Sequence, residues 1–228
     1  MQNISRDDYL KLIYKLSENT RESILTGDIA QAMDVNAASV SDMLKKLSLS
    51  GMISYVPYQG VKLSRKGRKH AMQLVRRHRL WESFLVNHLG MHWNQVHEIA
   101  EQLEHVSSET LISKLDAFLG FPDYDPHGDP IPDGNGVMPQ RQCMNLQDAK
   151  LGQELMVARV MDDSPVFLES FDALSIKLGD TFSVCHVNAF DGLLTLQRED
   201  LSRVYMSRDM ASRIECSPVV SHTSKYVG

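Results

Sequence analysis

A chain of 228 residues, 43% hydrophobic and 23% charged, has room for two or three small domains; no apolar run approaches the roughly 20 residues that span a bilayer. Three scattered cysteines (Cys143, Cys185, Cys216) with no C-x-x-C pair argue against a disulfide framework and a thiolate zinc site, and with the polar start MQNISRDDY they set the expectation of a cytoplasmic protein without a membrane partner. The net charge of −5 divides unevenly: residues 1–80 hold 14 Lys and Arg against 7 Asp and Glu, and residues 81–228 hold 10 against 22, so a polyanion is the expected partner of the front and cations of the rest, unless the imbalance is merely solvated.

In chain order, DDYLKLIYKLSE places Tyr9, Leu12, Ile13 and Leu16 at helical spacing, with Asp7 and Asp8 where a helix dipole favours acids. TGDIAQAMDV reads as a short helix, Val35 and Asn36 as a turn, and ASVSDMLKKLSLSG as a second helix closed by Gly51. MISYVPYQGVKLS alternates around Pro57 and Gly60 like a two-stranded wing. Helix, turn, helix and wing is a DNA-binding order. The recognition helix, beginning near Asn36, presents Ala37, Ala38, Ser39 and Ser41, with Asp42, Lys45 and Lys46 beyond. Small residues there allow close approach to base edges, while Ser and Lys hold phosphates. In the wing, Tyr58, Gln59 and Lys62 reach toward the backbone, followed by Arg65, Lys66, Arg68 and Lys69.

From about 65 to 119 the chain reads as helical, with Met72, Val75, Leu80, Phe84 and Leu85 on one stripe and VHEIAEQLEHVSSETLISKLDAFLG as a second helix or helix pair. Stripes this wide point to a second subunit. Residues 120–147 hold five of the eight prolines and read as an ordered loop or linker. Residues 148–217 alternate in short segments (ELMVARV, TFSVCHV, LLTLQ) with turns at Gly179-Asp180 and Asp191-Gly192, the pattern of a small β-barrel.

The densest set of ligand-type side chains is His97, Glu101, Glu104 and His105, which share one helix face; His78 and Glu82 make an i, i+4 pair on the preceding helix. Two carboxylates and two imidazoles on one stripe are poorly satisfied when packed unless a cation sits among them; the plainer alternative is a solvated Glu/His face. HEIAE misses H-E-x-x-H, and EQLEH misses H-x-x-E-H, each by one residue. That leaves a hydrolase built on His97 and Glu98 little support. No G-x-S-x-G, Walker loop or G-x-G-x-x-G is present, so no enzyme is expected. Oxygen-rich sites with imidazole suit Mn2+, Fe2+ or Co2+, and the absence of sulfur favours Mn2+, although the Irving–Williams order lets Zn2+ or Co2+ bind more tightly in vitro.

The sequence resembles the diphtheria-toxin-repressor and manganese-transport-regulator family of metal-dependent transcriptional repressors in its long form. DDYLKLIY, IAQAMDVNAASVSDMLKKL, RHRLWESFL, VHEIAEQLEHVSSE and DPHGDPIP carry the likeness over about residues 5–132, and a weaker one covers 148–217. The resemblance implies a mainly α protein with a β C-terminal domain. Its expected parts are a winged helix-turn-helix at 1–70, a helical metal-binding and dimerisation domain at 71–130, a linker at 131–147, an SH3-like domain of FeoA type at 148–217 and a tail at 218–228. It implies a homodimer on a double-stranded DNA operator, repressing metal-uptake genes with the metal as co-repressor.

Carried over by position, the resemblance implies one metal site from Asp8, Glu101, Glu104 and His105. Asp8 stands where iron-responsive members have methionine, and Glu101 where they have cysteine; the manganese branch makes the same changes. A second site is implied around His78, Glu82 and His97, joined by Asp125, His127 and Asp162, with Asp163 an equal choice for the last. Asp125 capping a turn and His127 packing under the loop are the plainer alternatives. Short manganese regulators carry a glutamate one turn after the aspartate, where this chain has Lys11. An ammonium does not ligate while charged and repels a second cation, so two separated sites are expected rather than a close binuclear one.

Overall fold

In the computed structural model, which describes residues 5–18 and 23–219, the acidic start of the first helix, α1 (Arg6–Glu18), is closed by reciprocal bonds with Ser5. The Ser5 backbone N–H donates to Asp8 Oδ2 at 2.7 Å, and the Asp8 N–H donates to Ser5 Oγ at 3.2 Å. These satisfy donors that a helix N-terminus leaves open. Tyr9, Leu10, Ile13 and Tyr14 are its buried residues; Leu12 and Leu16 are only partly buried. The apolar stripe is thus rotated from the 9/12/13/16 set, because Leu10 and Tyr14 also face the core.

Helices α2 (Thr26–Met33) and α3 (Ala37–Leu49) form the expected pair. Asn36 is the N-cap of α3, its side chain accepting from Ser39 N–H at 2.8 Å. Strands β1 (Ile53–Val56) and β2 (Gly60–Leu63) pair antiparallel as the wing, and Gly60 has φ +92 beside the Ile24 carbonyl, where a Cβ would lie 2.6 Å from the oxygen. Ile13, Ile29, Val40, Leu44 and Val61 form the core of this part with Ala71 and Val75 of helix α4 (Arg65–Asn87). Each of these Val, Leu and Ile side chains contributes about 1.5–3 kcal/mol by burial.

The described residues divide into two compact units: one takes in those up to His78, Leu103–Ile112 and Pro132–Met138, and the other Arg79–Gln102, Ser113–Ile131 and those from Pro139 onward. Both therefore draw on α4, on α5 (His97–Val106) and on α6 (Glu109–Phe118). The boundary expected at 70/71 falls inside the unbroken α4.

In the second unit, Leu85, Val96 and Ala100 form a small helical core. A larger one lies between a six-stranded antiparallel sheet and the helix α7 (Pro165–Ala173). The strands are β3 (Met144–Asn145), β4 (Glu154–Val160), β5 (Thr181–Val187), β6 (Leu194–Gln197), β7 (Arg203–Met206) and β8 (Ile214–Pro218), in the order β3-β8-β4-β5-β6-β7. A four-residue helix, α8 (Arg208–Ala211), precedes β8. Since β3 begins at Met144, the expected linker ends sooner than 147. Of the expected tail, Pro218 closes β8 and residues 220–228 lie outside the described residues.

The proline-rich stretch is ordered by its own hydrogen bonds. Asp125 N–H donates to the Asp129 carbonyl, Gly128 N–H to the Asp125 carbonyl and Ile131 N–H to the Asp123 carbonyl. Val160 N–H of β4 donates to the His127 carbonyl at 2.9 Å. Gly128 has φ +85, and a Cβ there would stand 2.1 Å from the Ala158 oxygen, so only glycine lets the loop lie on β4.

Candidate metal centre

In the first unit, α1 presents Asp8 and α5 presents His105, whose Nε2 lies 3.0 Å from Asp8 Oδ1. Glu101 stands one turn before His105 on the same helix. Glu104, next to His105, faces inward with none of its side chain exposed. Lys11 Nζ donates to its Oε1 at 2.8 Å, and His78 Nδ1 lies 2.7 Å from its Oε2. Burial alone would raise the Glu104 carboxyl, but the His78 hydrogen bond and the Lys11 charge outweigh it and hold the group below the usual carboxylate range. His78 and Glu104, expected in different sites, are partners here. Lys11, expected only to repel a second cation, also neutralises Glu104.

In the second unit, Glu82, Asp125 and His127 are all buried, and each offers a ligand atom within 4.8 Å of the other two. Asp125 Oδ1 accepts from His127 N–H at 2.8 Å and Asp129 N–H at 2.9 Å, so the turn-capping alternative holds for that oxygen. Its Oδ2 is buried without a hydrogen-bond partner, the Arg79 Nε standing 3.8 Å away. Burial raises the Asp125 carboxyl well above its ordinary range, with the charges of Asp129 and Glu82 adding to it and Arg79 opposing. His127 Nδ1 lies 3.9 Å from Glu82 Oε2, and His97 Nδ1 lies 3.4 Å from Glu82 Oε1. Two buried carboxylates and an imidazole with an orphaned oxygen among them fit a divalent cation of intermediate hardness, since such a charge would satisfy that oxygen and lower the mutual repulsion.

Asp162, expected with this cluster, has partners of its own in this structure. Its carboxylate pairs with Arg213 and accepts from Ser164 N–H at 2.9 Å ahead of α7, so its oxygens are engaged within the β domain. Sequence reasoning missed Arg79 beside Asp125, and Trp93, whose carbonyl oxygen lies 3.1 Å from His127 Nε2. An isolated Arg or Trp carries no ligand signature, so only the folded chain reveals them.

Also in the first unit, Asn36, Ala37, Ala38, Ser39, Lys45, Lys46, Tyr58 and Lys62 are exposed and Ser41 is half-buried, its hydroxyl donating to the Ala37 carbonyl at 2.8 Å. Lys45 pairs with Asp42 at 3.1 Å, both side chains being exposed. No helix among the described residues is long and apolar enough to cross a membrane.

Comparison with known proteins places three matches along the chain. Residues 4–61 match the iron dependent repressor N-terminal DNA binding domain, residues 64–133 the iron dependent repressor metal binding and dimerisation domain, and residues 144–218 the FeoA domain. The chain is 35% identical over 124 residues to the iron-dependent repressor IdeR of Mycobacterium tuberculosis, a match covering 54% of each chain. It is 32% identical over 121 residues to the HTH-type transcriptional regulator MntR of Oceanobacillus iheyensis, covering 53% of this chain and 81% of that one. Among solved structures, a manganese-dependent transcriptional repressor in complex with manganese superposes with a TM-score of 0.86 at 35% identity, covering 94% of this chain and all of the other.

Proposed function

This chain belongs to the iron-dependent repressor family of metal-dependent transcriptional regulators, and we propose that within it the protein is a homodimeric repressor of metal-uptake genes whose co-repressor is Mn2+. The buried Glu82, Asp125 and His127 cluster, with an orphaned carboxylate oxygen and no sulfur, carries the reading. Its donors are oxygen and imidazole nitrogen, a set that suits Mn2+ and does not select for soft ions. The similarity to a manganese-dependent repressor over 94% of the chain supports the same choice. Iron is the second reading, because the iron-dependent repressor IdeR is as similar in sequence as MntR.

Asp8 and His105, with Glu101 on the same helix, would hold one ion, and Glu82, Asp125 and His127 a second. A bound divalent ion supplies positive charge that offsets the carboxylates and ties together the elements bearing them. The chain's own residues transmit that tie. Asp8 lies on α1, whose Tyr9, Leu10 and Ile13 share a core with Val40, Leu44 and Leu47 of α3. Fixing Asp8 against α5 therefore fixes the base from which α3 and the wing are presented to DNA. In a two-fold dimer this sets the spacing of two recognition helices for half-sites about one helical turn apart, or a multiple. A coupling of about 1–3 kcal/mol per site changes operator occupancy 5- to 150-fold.

The test is binding of the full chain to the promoter of a neighbouring metal-transporter gene, titrated with Mn2+, then with chelator, beside Asp8→Ala. Mn2+ should tighten binding, chelator reverse it and Asp8→Ala remove the response. Affinity indifferent to metal and mutation alike overturns the co-repressor reading, and tighter operator binding with buffered Fe2+ than with Mn2+ at their cellular levels selects iron.

A further inference from the structure

His127 is clamped on the side away from Glu82. Its Nε2 lies 3.1 Å from the Trp93 carbonyl oxygen, and a carbonyl only accepts, so Nε2 carries a proton and Nδ1 is the ring nitrogen left to ligate. That Nδ1 is the atom on the Glu82 side. The Trp93 indole also stacks on the imidazole, with ring centroids 5.4 Å apart and planes 13° from parallel. Trp93, in a 3-10 turn at Trp93–Gln95, is itself held from the β domain. Its Nε1–H donates to both carboxylate oxygens of Asp172 at 3.1 Å, and its ring lies 5.7 Å from that of Phe171. Both residues are on α7, and the His92 Nε2 also lies 3.6 Å from Asp172 Oδ2.

We propose that Asp172 and Trp93 are positioning residues that hold the His127 ring in its Nδ1-ligating form, so that α7 of the β domain sets the affinity of the Glu82, Asp125 and His127 site without supplying a ligand to it. The proposal rests on the reading of that cluster as a cation site. The physical reason is general: the ring nitrogen that does not bind metal needs a fixed acceptor to select tautomer and orientation, and disturbing such partners lowers metal affinity about 10- to 100-fold. Here the acceptor is a backbone carbonyl whose residue is tied to α7 by the indole's hydrogen bonds and ring packing and stacks on His127. Loss of the Asp172 acceptor frees the indole, and with it the carbonyl and the ring face that orient His127.

The experiment is a titration of the metal-free full-length chain with MnCl2, followed by calorimetry and by electron paramagnetic resonance of free Mn2+, with the Tm of each metal-free variant measured alongside. His127→Ala should lose one Mn2+ per chain. Trp93→Phe, which keeps a stacking ring and removes the indole N–H, and Asp172→Ala should keep the stoichiometry and weaken that site about tenfold or more. Asp172→Asn, whose amide oxygen still accepts, should recover most of the affinity. Unchanged affinity in Trp93→Phe and Asp172→Ala, beside the loss in His127→Ala, overturns the relay. So does a lowered Tm with unchanged affinity, which marks packing alone. If Asp172→Ala fails to fold, Trp93→Phe decides. Undiminished stoichiometry in His127→Ala overturns the cation site itself, and is told apart by that variant alone.

Discussion

Glu104 and Asp125 are both buried carboxylates of the same chain, but their surroundings differ in one respect. Around Glu104 a lysine ammonium and a histidine N–H occupy one oxygen each. Around Asp125 two backbone N–H groups share Oδ1, while Oδ2 has no hydrogen-bond partner, the Arg79 Nε standing 3.8 Å away, and the charges of Asp129 and Glu82 oppose its ionisation. The same side-chain type is thus a finished tie between α1, α4 and α5 in one unit and an unfinished site in the other. A buried acid points to a metal centre only when the chain's own donors and cations leave one of its oxygens without a hydrogen bond.

The largest effect that would break this comparison concerns Glu104. Glu104→Ala leaves Lys11 and His78 without their buried partner and should cost about 3–5 kcal/mol in the metal-free protein, measured by urea unfolding. Asp125→Asn removes a disfavoured charge and should leave metal-free stability unchanged or higher. Equal losses from the two substitutions would show that the clusters do not differ. Next, Mn2+ at about 100 times its Kd should stabilise the folded chain by about 2.7 kcal/mol per occupied site. The rise in Tm should shrink by one site's share in Asp125→Asn and persist in full in Asp162→Asn, whose carboxylate is engaged by Arg213.

A smaller loss, about 1–2 kcal/mol, is expected for Lys11→Gln, which keeps a donor near Glu104 and removes the charge. Its Mn2+ count should remain that of the unaltered chain; one additional ion bound would identify Lys11 as the residue that keeps Glu104 from ligating. The smallest effect belongs to the exposed face. Lys45→Ala should change stability by less than about 0.5 kcal/mol. It should also weaken operator binding evenly across sequences and reduce the slope of log affinity against log salt by about 1, seen in a fluorescence-anisotropy series.

The helical elements were legible because their signals are local. Apolar spacing located α1, α3 and α4, the turn read at Val35 and Asn36 stands where Asn36 caps α3, and the strands at 154–160 and 181–187 stand where the alternation put them. Harder to see was α7, whose PVFLESFDA has apolar residues at helical spacing but sits among alternating segments. The break between α5 and α6 at Ser107 and Ser108 has no clear sequence signal, since both segments share one amphipathic period. The strand β3 was hidden for a different reason: two residues hold no period, and only the partner strand β8 defines them.

Residue types and spacings by themselves determined that this chain carries a winged helix-turn-helix, two amphipathic helices with Glu and His on one face, and a proline loop bearing Asp125 and His127. Those features depend on neighbours within a turn or two along the chain, which a sequence displays directly. Which ligand-type side chains are already satisfied was decided by tertiary structure. Lys11 meets Glu104 across 93 positions, Arg213 meets Asp162 across 51, and Trp93 meets Asp172 across 79. Pairings of that range are fixed by how helices, loop and sheet pack, and they decide whether a carboxylate is left in need of a cation.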